Sequence, residues 1–226
     1  MVRMRTLLTA LALVFLGCAM ARPAAALTDQ QEIIDKARIT FDKLITSPEF
    51  AELPGYVKKA KAVIIFPSLI KGGFIIGAEG GSGVLLVRDD KLGWSYPAFY
   101  TLAAGSLGLQ IGGEISEVVL TIMSEKALDA VIDNQMKFGG DVSIAAGPLG
   151  KGLEAGTTTN LDADVYSFAK TSGLFGGLSL EGAGVLKRDS WNVSYYGTGA
   201  TPYAILIQRR FSNPNAQPLR DSLSPY

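Results

Sequence analysis

The sequence predicts an α+β, β-rich domain: a strongly twisted antiparallel sheet of barrel-like tendency, with an N-terminal helix, one mid-chain helix and short C-terminal helices. Three observations predict it. Apolar residues between 29 and 45 recur with helical spacing. From residue 62 the chain turns to β-branched runs edged by glycine, of which it has 26. Two short helical patterns, each with a capping residue in front, then close it.

Thr28-Asp29-Gln30-Gln31 has the form of a capping box, and Ile33, Ile34, Ala37, Phe41, Leu44 and Ile45 make one apolar stripe behind it. Ser47-Pro48 ends that helix and starts a short one, which Pro54-Gly55 breaks. Ala62-Val63-Ile64-Ile65-Phe66 is a buried strand bounded by Pro67. Residues 73–78 and 83–88 read as two more, joined by a turn at Glu79-Gly80-Gly81-Ser82, and 89–93 as the next turn. Residues 93–113 are uncharged and long enough for a membrane span, but Pro97, five glycines and the alternation of 107–111 favour strands, continuing after a turn over 115–123.

Ser124 caps a helix over 125–134, with Leu128, Val131 and Ile132 inward. Strands are expected over 141–146, 153–159, 164–170 and 176–187, around a loop at 147–152, and helices over 189–196 and 201–207. The tail from Asn213 holds three prolines in 14 residues and is expected to be poorly ordered.

The N-terminus has the order of a secretory leader: Arg3 and Arg5, then an apolar run from Leu7 to Leu16 too short to cross a bilayer as a helix. Ala24-Ala25-Ala26 and Ala19-Met20-Ala21 both offer a cleavage site. Phe15-Leu16-Gly17-Cys18 also resembles a lipoprotein signal, which would acylate Cys18, so anchored and soluble forms both stay open. The organisation expected is a leader over 1–26, one domain over 27–211 and a tail over 212–226, in the periplasm or at the envelope membrane surface.

Composition excludes several chemistries. Histidine is absent and Cys18 is the single cysteine, so no Ser-His-Asp set, histidine metal site, cysteine cluster or internal disulfide can form. Without the leader's three arginines the chain carries 18 basic against 21 acidic residues, which argues against nucleic acid as a partner. Phosphate-loop patterns fail, since Gly152 stands where Ser or Thr should follow Gly150-Lys151. Asp89-Asp90 and Asp162/Asp164 read as solvated turns rather than Ca²⁺ loops. A carboxylate-pair enzyme would draw on Glu79, Glu114, Glu154 or Glu181.

Several separated motifs resemble the SYLF domain family. Lys61-Ala62-Val63-Ile64-Ile65-Phe66-Pro67, Lys71-Gly72-Gly73-Phe74 and Gly81-Ser82-Gly83-Val84 are similar to its opening. Gly173-Leu174-Phe175-Gly176-Gly177-Leu178-Ser179-Leu180-Glu181-Gly182 is similar to its most recognisable segment, and Asn192, Tyr195-Tyr196-Gly197 and Ile205-Leu206 to its close. The likeness runs from about Thr28 to Arg210.

The resemblance implies a non-catalytic, lipid-binding module without cofactor or metal. Eukaryotic members bind phosphoinositides and some bundle actin, often beside an SH3 domain. With an export leader and no SH3 domain, the partner expected here is a phospholipid membrane, actin is not expected, and protein partners are unassigned. The residues expected at the lipid are Lys36, Arg38 and Lys43 of the amphipathic helix, Lys58, Lys59, Lys61 and Lys71 of the densest positive cluster, and Leu174 and Phe175 at a glycine-edged tip. The other reading is an envelope protein-interaction module without a specific lipid. It is marked by a buried helix stripe and the lack of a basic face.

Overall fold

The computed structural model describes residues 28–133, 135–140, 142–147, 163–173, 180 and 182–226, with the backbone alone over 73–77, 106–113, 135 and 173. The leader with Cys18, the strand expected over 153–159, Glu154, Glu181 and the Leu174-Phe175 tip lie outside the described residues.

Helix α1 (Asp29–Ile45) starts where the capping box places it, with the Thr28 side chain accepting from the Gln31 amide at 3.2 Å. Ile34, Ala37, Phe41, Leu44 and Ile45 are buried along its inner face. A 3₁₀ turn (Pro48–Phe50) and helix α2 (Leu53–Lys59) lead into the sheet.

The sheet is built on two very long strands, β1 (Ala62–Asp89, 28 residues) and β3 (Ala98–Ile122, 25 residues), joined through the turn at 89–93 and the short β2 (Gly93–Trp94). They pair antiparallel from Ala62↔Ile122 to Leu85↔Ala98. The three strands and the turn expected over 62–88 are thus one strand, and the turn expected before 115 is absent. Glycines there allow bending without ending the ladder. Pro67, which cannot donate a ladder hydrogen bond, sits at a register shift between Phe66 and Leu69.

The ribbon coils until β1 meets itself. The Arg88 amide donates to the Lys61 carbonyl at 2.8 Å, joining the two ends of one strand. Where they cross, a Cβ on Gly81 would lie 2.2 Å from the Ser68 oxygen, and one on Gly83 2.4 Å from the Ile65 oxygen. The glycines of the Gly-Ser-Gly motif are therefore the sites of close backbone approach, not of a turn.

The far edge of β3 carries β7 (Gly184–Lys187) along residues 100–103 and β6 (Val165–Gly173) along 114–122. Strand β4 (Gln135–Lys137) extends β7 antiparallel, whereas β5 (Ile144–Ala146) runs parallel to β6. The sheet is therefore mixed, not wholly antiparallel, and curls into a half-barrel; the α+β, β-rich class stands. Both faces are covered. Ile64, Phe66, Tyr100, Leu102, Val118 and Leu120 fill the concave side with Leu128, Val131 and Ile132 of helix α3 (Glu125–Asp133). Val63, Ile65, Val84, Phe99 and Val119 pack beneath α1. Burial on both sides is why the strand starts read as continuous apolar runs.

Helices α4 (Asp189–Tyr196) and α5 (Pro202–Leu206) follow as expected. The tail is the larger correction. A 3₁₀ turn (Pro214–Ala216) and helix α6 (Gln217–Leu223) pack against α1, with Ala216, Leu219 and Leu223 fully buried and the Tyr226 ring edge-on to Phe41 at 6.0 Å. Pro214 and Pro218 stand in the first turns of their helices, where a missing N–H removes no helical hydrogen bond. No helix among the described residues is long and apolar enough to cross a membrane.

Candidate functional site

Most of the cations expected at a lipid surface have acidic partners. Lys36 pairs with Glu32 at 2.5 Å and Arg38 with Asp42 at 3.4 Å along α1. Lys43 reaches Glu117 on β3, and Lys61 reaches Glu125 at 2.7 Å. These are exposed pairs, worth little in stability, but they remove a uniformly positive face from α1. The apolar stripe of that helix is likewise used, since it lies on β1 and β3.

Lys58 and Lys59 differ. Both are exposed at the end of α2 and have no ion pair among the described residues. The Arg88 side chain donates to the Lys58 carbonyl, which brings a third cation to this end of the sheet. Lys59 also borders a cleft of about 530 Å³ lined by Glu52, Gly55, Tyr56, Met123, Asp164 and Tyr166. Two tyrosines form its aromatic wall: the Tyr56 ring meets Tyr166 edge-on at 4.6 Å and Phe168 at 5.4 Å. Burial raises the Tyr56 hydroxyl above its ordinary value, and the charges of Tyr166 and Glu52 add to the shift.

Asp164 anchors the opposite wall. It accepts from the Ser124 hydroxyl at 2.6 Å and from the Ser143 amide and hydroxyl at 3.0 and 2.9 Å. Burial alone would raise its pKa, but these hydrogen bonds outweigh it and hold the carboxyl below the usual range. Ser124 in turn caps α3 through the Ala127 amide. Asp89 accepts from the Lys91 and Leu92 amides, each at 2.8 Å, and so closes the β1–β2 turn. Asp89 and Asp164, one from each acidic pair, thus have structural partners.

Lys71 takes part in a different arrangement. It stands directly opposite Glu114 across β1 and β3, and Glu79, opposite Ala104, projects from the same concave face. Glu79 and Glu114 are only 6% and 4% exposed, and each has a buried oxygen without a hydrogen-bond partner. Burial raises the Glu79 pKa; Lys71 opposes this and Glu114 adds to it. Neither carboxylate lines the Tyr56 cleft or the second one, of about 420 Å³, between the β1–β2 turn and α6. The paired glutamates weighed for a hydrolase therefore meet away from both clefts.

What sequence reasoning missed is the cleft itself. Tyr56, Ser124 and Tyr166 come from three elements, and only the fold makes them neighbours.

A family model described as Las17-binding protein actin regulator, Ysc84, matches residues 103–226. The chain belongs to this family, that of the SYLF domain. Among curated relatives, an SH3 domain-containing YSC84-like protein 1 of Xenopus laevis is 35% identical over 175 residues, 76% of this chain and 52% of the relative. Protein YSC84 of Saccharomyces cerevisiae is 34% identical over 171 residues, 74% of this chain and 36% of that protein. LAS seventeen-binding protein 3 of the same species is 32% identical over 169 residues, 74% and 37% of the two chains. The chain spans about half the length of these relatives or less. A family described by Las17 binding and actin regulation overturns the expectation of a phospholipid membrane as the partner with actin set aside. It is a family of binding and regulatory proteins.

Proposed function

We propose that this SYLF domain is a non-catalytic protein-binding module whose partner docks at the Tyr56–Lys59 cleft, with filamentous actin the first candidate. One observation carries the reading: the amphipathic helix is spent inside the fold, its stripe buried and its cations paired, while among the described residues an aromatic cleft stands open beside the exposed Lys58 and Lys59. Its lining suits a polypeptide. Tyrosine is enriched at protein interfaces, and the carboxylates of Glu52 and Asp164 beside Lys59 match mixed charge better than a layer of phosphates. The names of the relatives support actin as the partner to try. Co-sedimentation with actin filaments, with anionic vesicles run in parallel, tests it: pelleting with filaments supports the reading, and pelleting with neither sinks it.

A second reading has its own observation. Lys58, Lys59 and Arg88 lie together without a full set of acidic partners, and near anionic phospholipid each would add about 1 kcal/mol of attraction. Combined with the leader pattern of residues 1–26, this supports an exported domain that also meets lipid at the cell envelope. Salt-sensitive vesicle binding lost in Lys58→Ala/Lys59→Ala supports it. The intact mass of the secreted protein tests export and acylation of Cys18.

A further inference from the structure

We propose that the hollow of the coiled ribbon binds a hard divalent cation, with Glu79 and Glu114 as its anionic ligands. Buried carboxylates are normally paired, hydrogen-bonded or bound to metal, because an isolated charge in a low-dielectric interior is costly. Here two of them, both more than nine-tenths buried, each keep an unpartnered oxygen, and they are the described side chains that do so. Glu114 lies close enough to Glu79 to disfavour its ionisation. One proton shared between them would still leave a negative charge in the interior; a divalent cation offsets the charge of both.

The surroundings fit oxygen ligation. The cross-strand pairs Lys71↔Glu114 and Glu79↔Ala104 place the three charged side chains on the concave face. Ser116, two residues along from Glu114, shares that face, and its hydroxyl lies 3.1 Å from that of Thr171 across β6. Two carboxylates and two hydroxyls, with no histidine in the chain and no cysteine among the described residues, are hard donors of the kind Ca²⁺ and Mg²⁺ prefer. No group of three or more acidic or thiol ligands stands among the described residues, so the two glutamates would supply all the side-chain negative charge.

Lys71 gives the proposal its sharpest consequence. It is half-buried, forms no ion pair among the described residues, and its charge lowers the Glu79 pKa from within the same hollow. It is therefore an internal competitor for the cation.

The test is calorimetric titration of the chelator-stripped protein with CaCl₂ and with MgCl₂ at neutral pH, with the unfolding midpoint followed in parallel. Saturable binding and a raised midpoint are expected with at least one ion. Glu79→Gln and Glu114→Gln should each weaken it at least about tenfold, the lower end of what even an outer-shell loss costs a metal site. Lys71→Gln should tighten it, a change that a purely structural lysine would not produce. Absence of binding to either ion overturns the proposal. So does binding that survives both glutamine variants or that is not tightened in Lys71→Gln.

Discussion

Asn192, at the centre of helix α4 and fully buried, binds both backbone groups of Phe99. Its side-chain oxygen accepts from the Phe99 amide at 2.8 Å and its amide donates to the Phe99 carbonyl at 3.4 Å. The side chain thus completes the ladder of β3 at the start of the strand, where Phe99 also meets the rings of Trp191 and Tyr195 edge-on. Asn192→Ala would leave a buried N–H without a partner, and a loss of about 1–3 kcal/mol is expected. Urea unfolding with an unchanged m-value would show it; a midpoint equal to wild type would remove this role.

Coiling of the ribbon makes a sharper contrast among glycines. Gly83→Ala drives a methyl group into the Ile65 carbonyl and the Phe66 ring, so a loss of at least about 1–3 kcal/mol follows from overpacking alone. Gly55, on α2, has open space around its Cβ position. Gly55→Ala should stabilise by about 0.5–1 kcal/mol, since glycine is a poor helix former. Thermal unfolding of the two variants should move in opposite directions.

The C-terminal helix carries weight that its proline content concealed. Leu219→Ala and Leu223→Ala should each cost about 2–5 kcal/mol, as for other fully buried leucines. Removal of residues 212–226 should expose Phe41 and lower the unfolding midpoint further than either substitution. A truncated chain as stable as the full one would show that the helix contributes nothing.

Acid and base act on opposite sites. The Glu79 pKa is raised above its ordinary 4.5, so its folded form prefers the proton: stability is greatest below that value and falls as pH rises through the folded pKa. The Asp164 pKa is lowered below its ordinary 3.8, so its contribution is present above that value and is lost as pH falls through the folded pKa. In chelator, Glu79→Gln should therefore raise the unfolding midpoint at neutral pH, and Asp164→Asn should lower it. Both differences should shrink in acid. Differences that persist unchanged at pH 3 would contradict the assignment.

Local rules made the ends of the helices legible: Thr28, Ser124 and Thr201 each cap the helix that spacing predicted. β-Branched runs likewise exposed the strand starts, and the order of several separated motifs carried the family resemblance. The continuity of β1 was hidden because glycine marks both turns and close backbone approaches, and only the crossing of Gly81 over Ser68 tells which applies. The tail was misjudged for a related reason. Three prolines resemble disorder until two are seen in first helical turns, with Leu219 and Leu223 one turn apart behind them. Charge runs were the weakest guide. Lys43 and Lys61 find partners 74 and 64 residues away, which no local pattern shows.

The claim that the Tyr56–Lys59 cleft is the docking site is tested most directly by titrating actin filaments against the wild-type protein and Tyr56→Ala/Lys59→Glu, with bound protein read from the pellet. Saturable binding is expected for wild type. The double variant should lose at least about 2 kcal/mol, ~30-fold in Kd, while keeping its unfolding midpoint within a few degrees. A wild-type protein that stays in the supernatant at every filament concentration, or a variant that pellets equally well, would contradict the account.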